Sequence, residues 1–315
     1  MKNILWEIYN SIKVSDFDHH NTANDNWFKY YNLNSEDDVN DWISYTNVKF
    51  PPHLYKNKIV VDMGCGWGLF SILAYLQGAS RVFAIGPDNR IDFLEKIISD
   101  NSISDRITTI KKYLDTNTQK ILNKKVDVII GNEFIEHLTS TQRINFYRIA
   151  FESLVDKGIL LLHTHNTDNK KVLKRVKMHW EKQENKIYIK MREELISNQC
   201  KELDTKQKRA LAEVTFGLNK DEVIKASLQY LKDKKFPQKD FNKCSIDPES
   251  GVPDENYISP EVIQAEMLAA GFSTHVYPWF GFFSLGRILR SIASLLPFVF
   301  FRQIVESITF YGVKD

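Results

Sequence analysis

Three closely spaced glycines follow a short apolar run in Val60-Val61-Asp62-Met63-Gly64-Cys65-Gly66-Trp67-Gly68. Glycine adopts positive φ angles and lets a ligand come close to the main chain. A helix that begins after such a loop presents N–H groups and a partial positive charge to the ligand. The spacing is tighter than the G-x-G-x-x-G of dinucleotide sites, and Asp62 suits a cationic amino-acid end better than a pyrophosphate. The segment therefore predicts a cofactor loop of another kind.

Two carboxylates and a histidine lie together in Glu133-x-x-Glu136-His137. Residues three and four apart share one face of a helix, although in an extended loop they need not. Such a group could bind a divalent cation, could supply a general base through His137, or could have a structural role. Farther along, His163 and His165 alternate onto one side of a predicted strand. Each is either a ligand or base, or a histidine hydrogen-bonded where the strand leaves the core.

The elements that must position these residues alternate between strands and helices. This alternation is typical of a doubly wound, mostly parallel sheet. Ligands of such sheets bind beyond the carboxyl ends of the strands, which is where the candidate residues fall. Strands are predicted over residues 58–63, 81–85, 106–113, 126–130, 158–163, 273–277 and 307–313, and helices over 69–76, 90–99, 141–154 and 259–270.

Residues 167–255 interrupt this alternation and predict a basic helical insertion, with helices from Leu173 to Ile196 and from Asp221 to Leu231. Within residues 168–243 there are 20 Lys or Arg and 12 Asp or Glu, whereas the formal net charge of the whole chain is +2. The positive charge could attract a phosphate, a nucleotide-linked sugar or RNA, or it could be a solvated helix face. Trp180 and Tyr188 are weak support for base stacking, so a small acidic acceptor is preferred to nucleic acid.

Cysteine content and apolar runs bear on where the protein works. The three cysteines form no pairwise motif, which favours a reducing compartment, and charge interrupts the N-terminus too early for a signal peptide. The apolar run Ser291 to Phe301 has eleven residues, whereas a membrane-spanning helix needs roughly 20. We expect a cytoplasmic protein without a transmembrane span. The segment 282–304 could contact a membrane surface, close the acceptor pocket or form a dimer face.

The segment Asp62-x-Gly64-x-Gly66-x-Gly68 resembles the first motif of class I S-adenosylmethionine (SAM)-dependent methyltransferases. Val126 to Ile130 and the following Asn132 to Leu138 are similar to the fourth strand and loop of that family. Leu154 to Leu162 is similar to its turn and fifth strand. The resemblance implies an α/β fold with a mostly parallel, Rossmann-like seven-stranded sheet and a helical insertion after strand 5.

The resemblance also implies a division of the chain and a set of cofactor contacts. An N-terminal helical cap is expected over 1–55, the SAM-binding core over 56–166 and 256–315, and the insertion over 167–255. The residues expected to contact SAM are Asp62, Gly64, Cys65, Gly66, Trp67, Gly68, Asp88, Asp115, Asn132 and Glu133.

One position departs from the family pattern. Gly86 lies at the end of the second strand, where the family usually has an acid that binds the ribose hydroxyls. Asp88, two residues later, is the candidate that replaces this acid; otherwise cofactor binding is weaker or different. Tyr113 and Asp115 are the candidates for the adenine side.

The Glu-x-x-Glu-His segment is similar to one in ubiquinone-biosynthesis O-methyltransferases and small-RNA 2′-O-methyltransferases. There the carboxylates and the histidine bind a metal that activates the substrate hydroxyl. This resemblance implies a divalent cation bound by Glu133, Glu136 and His137, with His137 and His165 as the catalytic candidates. The fourth strand is followed by Gly131-Asn132-Glu133-Phe134 rather than an Asn-Pro-Pro-Tyr-like amide clamp, which favours an O-methyl acceptor.

The insertion after strand 5 and the apolar segment before the last strand resemble bacterial surface-polysaccharide methyltransferases. We therefore expect O-methylation of a sugar or nucleotide-linked polar metabolite in bacterial envelope glycan synthesis. The positive charge of the insertion would attract an acceptor that carries phosphate. An RNA 2′-O-methyltransferase and a non-catalytic SAM-fold binding protein are the alternatives. Gly86 is the feature that keeps the non-catalytic alternative open.

Overall fold

The structure is a computed structural model that describes residues 35–87, 90–103, 105–112, 125–238, 244–249, 251–279 and 302–315, with Leu5, Trp6, Ile8 and Leu33. The candidates Asp88, Tyr113 and Asp115 and most of the segment 282–304 lie outside the described residues. Among the helices that are described, none is long and apolar enough to cross a membrane.

Seven strands form one sheet within the described part of the chain, in the order β3-β2-β1-β4-β5-β7-β6. The first five pair in parallel, and β7 lies antiparallel between β5 and β6. This arrangement confirms the predicted doubly wound, mostly parallel sheet. The strands are β1 (Ile59–Met63), β2 (Arg81–Gly86), β3 (Ile107–Lys111), β4 (Val126–Asn132), β5 (Leu154–His165), β6 (Phe272–Trp279) and β7 (Ser307–Lys314).

The described helices agree closely with the sequence pattern around the sheet and less well elsewhere. In chain order they are α1 (Glu36–Lys49), α2 (Leu69–Leu76), α3 (Arg90–Asp100), α4 (Ser140–Ser153), α5 (Lys170–Gln183), α6 (Ile189–Gln199), α7 (Thr205–Val214), α8 (Lys220–Asp233) and α9 (Pro260–Ala269). The long helix predicted from Leu173 to Ile196 is divided between α5 and α6 by a π-helical turn, Glu184–Tyr188.

The strand interiors form the core because their apolar runs are buried on both faces, as parallel sheets require. Val60, Val82 and Val128, on three neighbouring strands, are fully buried. Helix α1 joins the same core: Trp42 packs edge-on against Phe70 of α2, with ring centroids 5.6 Å apart. The described part of the predicted N-terminal cap therefore packs with the sheet.

The chain divides into two compact units. The first comprises the described parts of Met1–Ile135, Ile144–His165 and Glu261–Asp315, and the second comprises Glu136–Arg143 and Asn166–Pro260. The inclusion of 136–143 with the insertion was not anticipated from sequence. Its physical reason is a pair of hydrogen bonds: the Asn256 N–H donates to Glu136 O over 2.7 Å, and Asn256 Nδ2 donates to Leu138 O over 2.9 Å.

The second unit contains a buried ion pair. The Arg192 side chain is fully buried and pairs with Glu184, and its Nε donates to Ala212 O over 2.8 Å. Ser245 Oγ donates to Glu184 Oε1 over 2.9 Å. These bonds satisfy charges that would otherwise be costly to remove from water. They connect α6 to α7, the helix that the sequence analysis missed.

We expect Arg192→Ala to lower the free energy of unfolding by about 3–5 kcal/mol, because it leaves the Glu184 carboxylate buried without its counter-charge. Urea unfolding followed by circular dichroism measures this change. Arg209→Ala is the matched control: its pairing with Glu213 is half exposed, so the loss should stay below about 1 kcal/mol. Equal losses in the two variants would contradict the assignment.

Candidate cofactor-binding site

The loop between β1 and α2 has glycine where any side chain would collide with a neighbour. Gly64 and Gly68 have φ angles of +67° and +81°. A Cβ atom at Gly64 would lie 2.6 Å from Phe134 Cδ2, and one at Gly68 would lie 2.3 Å from Leu94 Cδ1. Both positions therefore require glycine for packing as well as for backbone conformation. The loop is held tightly between the fourth strand's exit and α3.

The middle glycine is less crowded. The nearest atom to a Cβ atom at Gly66 would be Arg90 Nη1, at 3.7 Å. Helix α2 begins directly after Gly68, which supplies no side-chain cap. An open main chain followed by a helix N-terminus fits a small ligand that approaches the backbone closely.

Asp62 binds the helix that follows the loop. Its side chain is 2% exposed, and it accepts a 2.6 Å hydrogen bond from Ser71 Oγ in the first turn of α2. Burial raises the pKa of Asp62 to about 6, and the hydrogen bonds from Ser71 oppose that rise. The carboxylate thus holds α2 against β1. Its expected contact with the cationic end of SAM stays a prediction.

The Cys65 side chain lies beside Gly86, the position at which the family usually has a ribose-binding acid. A Cβ atom at Gly86 would lie 3.3 Å from Cys65 Sγ, and the Cys65 N–H donates to Ile85 O over 3.0 Å. Trp67 packs edge-on against Phe93 of α3, with centroids 5.2 Å apart. These contacts place both side chains in the walls around the loop, and their contacts with SAM stay predictions.

The end of β4 supplies two further predicted contacts. Asn132 pairs with His163 of β5, and its buried Oδ1 has no hydrogen-bond partner in the described part of the chain. Glu133 has a φ of +50°, and its N–H donates to His163 O over 2.8 Å. A buried acceptor usually finds a donor, and a glutamate rarely adopts positive φ. Both features fit a site where a ligand binds.

A buried lysine that the sequence analysis did not name lies near Glu133. Lys49, the last residue of α1, is 8% exposed, and its Nζ lies 4.5 Å from the centroid of the Tyr45 ring. Burial lowers the pKa of Lys49 to about 8, and the charge of Glu133 opposes that fall. Its spacing from Tyr45 on one helix was the available signal, but nothing in the sequence indicated its other neighbours.

In the second unit, a main-chain carbonyl orients His137. Its Nδ1 lies 3.2 Å from Pro253 O. A carbonyl oxygen only accepts hydrogen bonds, so Nδ1 carries a proton, and in the neutral ring Nε2 is the nitrogen with a free lone pair. This is the tautomer that a general base requires.

The predicted metal site receives no support from the structure. Among the described residues, no three His, Cys, Asp or Glu side chains are grouped so that they could hold a metal ion. The chain passes from one unit to the other between Glu133 and Glu136. His137 already directs Nδ1 to the Pro253 carbonyl. A divalent cation bound by Glu133, Glu136 and His137 therefore stays a prediction.

The two histidines of β5 have different surroundings. His163 is buried, with Nδ1 3.0 Å from Thr309 Oγ1 of β7. This agrees with a histidine hydrogen-bonded inside the sheet. His165, at the end of the strand, is partly exposed and pairs with Ser307. Its catalytic role stays a prediction.

The sequence pattern of the methyltransferase-domain family matches residues 37–204 of this chain, more than half of its length. The chain belongs to this family. Membership confirms the prediction of a SAM-dependent methyltransferase at the level of the family and its cofactor. The match includes the glycine loop, the end of β4 and both histidines of β5.

Curated relatives share a shorter region. Protein arginine N-methyltransferase 1 of Schizosaccharomyces pombe is 34% identical over 117 residues, which cover 35% of this chain and 34% of that protein. Histone-arginine methyltransferase CARMER of Anopheles gambiae is 36% identical over 77 residues, which cover 24% of this chain and 12% of that protein. The chain therefore matches about a third or less of the length of these relatives.

A solved structure resembles the whole chain in fold. Geranyl diphosphate C-methyltransferase of Streptomyces coelicolor A3(2), solved with Mg²⁺, geranyl diphosphate and S-adenosyl-L-homocysteine, has a TM-score of 0.50 and 11% identity. The alignment covers 100% of this chain and 97% of that chain. At this identity the likeness concerns the fold alone.

We expect Asp62→Asn to be more stable than the wild type at pH 7.5, by about 3 kcal/mol. Asparagine keeps an acceptor for Ser71 and removes a buried charge. Because the pKa of Asp62 is raised from 3.8 to about 6, the folded protein binds this proton more tightly than the unfolded chain. The wild type therefore loses stability as pH rises from about 4 to 6, and the advantage of the variant grows over that range.

Urea unfolding of both proteins at pH 5 and pH 7.5 measures this difference. Asp92→Asn is the control, because Asp92 is half exposed in its pairing with Lys111 and its neutralisation should change stability little. An Asp62→Asn variant that is less stable than the wild type at pH 7.5 would contradict the prediction.

Proposed function

We propose that this protein transfers the methyl group of SAM to a hydroxyl group of a small polar acceptor, a sugar or nucleotide-linked metabolite of envelope glycan synthesis. The observation that carries the proposal is the orientation of His137 by Pro253 O, which leaves Nε2 to accept the hydroxyl proton. A hydroxyl is a poor nucleophile until it begins to lose that proton, so a positioned base accelerates the attack.

SAM, when bound, supplies a methyl group that is attacked in line as its sulfonium sulfur leaves. The protein's own residues supply mainly orientation and proximity. The open main chain at Gly66 and the unpartnered Oδ1 of Asn132 are the features that fit the cofactor. Asp62 accepts a hydrogen bond from Ser71 and so links β1 to α2 on the two sides of the loop. The proposed contacts are Asp62, Gly64, Cys65, Gly66, Trp67, Gly68, Asn132 and Glu133, with Asp88 proposed for the ribose and Asp115 for the adenine side.

Helix α5 favours an acceptor that carries negative charge. Val172, Val176 and Trp180 bury one face of it, so its basic side chains lie on the other. Exposed cations along one face raise the local concentration of anions. This charge suits a phosphate-bearing acceptor. The exposed basic residues are Lys170, Lys171, Lys174, Arg175 and Lys177.

Arginine is the acceptor that the names of the curated relatives suggest. Lys49 argues against it in this chain. The Lys49 amine lies near Glu133, the carboxylate that would otherwise be available to a guanidinium group. An ammonium ion at that position would repel a second cation. We therefore favour a neutral or anionic acceptor.

Labelled SAM and three acceptor pools test the proposed reaction: nucleotide sugars, bulk RNA and arginine-rich peptides. We expect label in the nucleotide sugars. Label in the RNA or the peptides would identify a different acceptor, and absence of SAM binding by calorimetry would exclude the enzyme. A parallel reaction with excess chelator tests the metal hypothesis, which predicts that activity is lost.

We expect His137→Asn to lower kcat about 100-fold, because asparagine can still donate to Pro253 O but cannot accept the proton. The Kd for SAM should be unchanged. His179→Asn, on the exposed face of α5, is the control and should retain full activity. An unchanged kcat in His137→Asn would refute the base assignment, and His165→Asn in the same assay tests the second candidate.

A further inference from the structure

The Lys49 amine is enclosed by two aromatic rings from distant parts of the chain. Its Nζ lies 4.5 Å from the Tyr45 ring centroid and 5.7 Å from that of Trp279. The two rings meet edge to face at 4.6 Å, and Trp279 Nε1 donates to Tyr45 Oη over 2.6 Å. The hydrogen bond and the edge-to-face contact hold the two rings in a defined orientation. Aromatic faces of this kind bind ammonium groups, including methylated ones.

Two sets of contacts place Lys49 beside the cofactor loop. Phe50, the next residue, packs edge-on against Phe70 in the first turn of α2, with centroids 5.4 Å apart. On the other side, the charge of Glu133 acts on the amine. Glu133 is followed by Phe134, the ring that packs against Gly64. The end of α1 therefore packs on the helix that begins at the loop, and the Lys49 amine lies within electrostatic range of the exit of β4.

The surroundings of the Lys49 amine leave a fraction of the molecules with this amine neutral. Glu133 favours the charged form, but burial is the larger effect and lowers the pKa of Lys49 to about 8. Burial likewise raises the pKa of Tyr45 to about 12, with Glu133 and Glu306 adding to the rise. From β5, the His163 ring faces Trp279 at 6.3 Å. A neutral amine, which is the nucleophilic form, is therefore present at mildly alkaline pH.

We propose that Lys49 is a methylation site of this protein itself, modified by the SAM held in its own glycine loop when no acceptor is present. The inference rests on the proposed function only in requiring bound SAM. The Lys49 Nζ lone pair forms a bond to the methyl carbon while the carbon–sulfur bond breaks. S-adenosylhomocysteine leaves and Lys49 becomes a methylammonium group, and the proton released earlier, when the neutral amine formed, has passed to solvent. The methylated amine keeps its place over the rings of Tyr45 and Trp279.

Mass spectrometry of the full-length wild-type protein tests this site. The protein is incubated with SAM alone at pH 6.5, 7.5 and 8.5, and the peptide containing Lys49 is examined. We expect that peptide to gain the mass of one methyl group. The initial rate should rise about 25-fold from pH 6.5 to 8.5, because the neutral fraction of an amine with a pKa near 8 grows by that factor.

Two variants serve as controls for the mapping. Lys49→Met should abolish the modification, with circular dichroism to verify its fold. Lys58→Arg should leave it unchanged, because Lys58 is half exposed and paired with Asp127. Since the mapping is made on the wild type, the result does not depend on how well a variant folds.

Calorimetry with SAM on the same samples separates the two proposals. SAM binding without methylation of Lys49 at pH 8.5 would overturn this inference and leave the proposed function intact. Methyl groups spread evenly over exposed lysines would also overturn it. Failure to bind SAM would instead overturn the proposed function, and with it the source of the methyl group.

Discussion

The close packing of the glycine loop is the constraint on which the cofactor end of the sheet depends. Phe134 occupies the space that a side chain at Gly64 would need, and Leu94 does the same at Gly68. Interiors at this density do not accommodate even one added methyl group without movement. The loop therefore fixes the exit of β4 and the position of α3 together, and the main chain at Gly66 is left as the less crowded point.

Asp62 also links β1 to α2, through its hydrogen bond with Ser71. This link lowers the stability of the folded protein, because the carboxylate is buried. A buried carboxylate is expensive unless it is hydrogen-bonded, and here Ser71 supplies that bond. The raised pKa shows that the bond offsets burial only in part. Buried polar groups of this kind are common where binding rather than stability has determined the residue.

The residues that follow β4 belong to both units of the chain. Glu133 adopts a positive φ while its N–H binds β5. His137 belongs to the second unit, where Pro253 and Asn256 hold its segment. A continuous motif in sequence is thus divided between two differently supported structures. Spacing alone indicated neither the positive φ of Glu133 nor the carbonyl that orients His137, and the metal site suggested by that spacing stays a prediction.

The sequence by itself determined the sheet, the glycine loop and most of the flanking helices, because apolar periodicity and glycine spacing are local properties. It missed α7, although Asp204 and Gln207 form a capping box at its start, because the apolar residues of this ten-residue helix all lie in its second half and the period cannot be followed along its whole length. Only the tertiary structure showed that Asp62 binds Ser71, and that Lys49 is buried. The ring of Trp279 lies against the Lys49 amine and binds Tyr45, which is 234 positions away in the chain. No local pattern records a contact between residues so far apart.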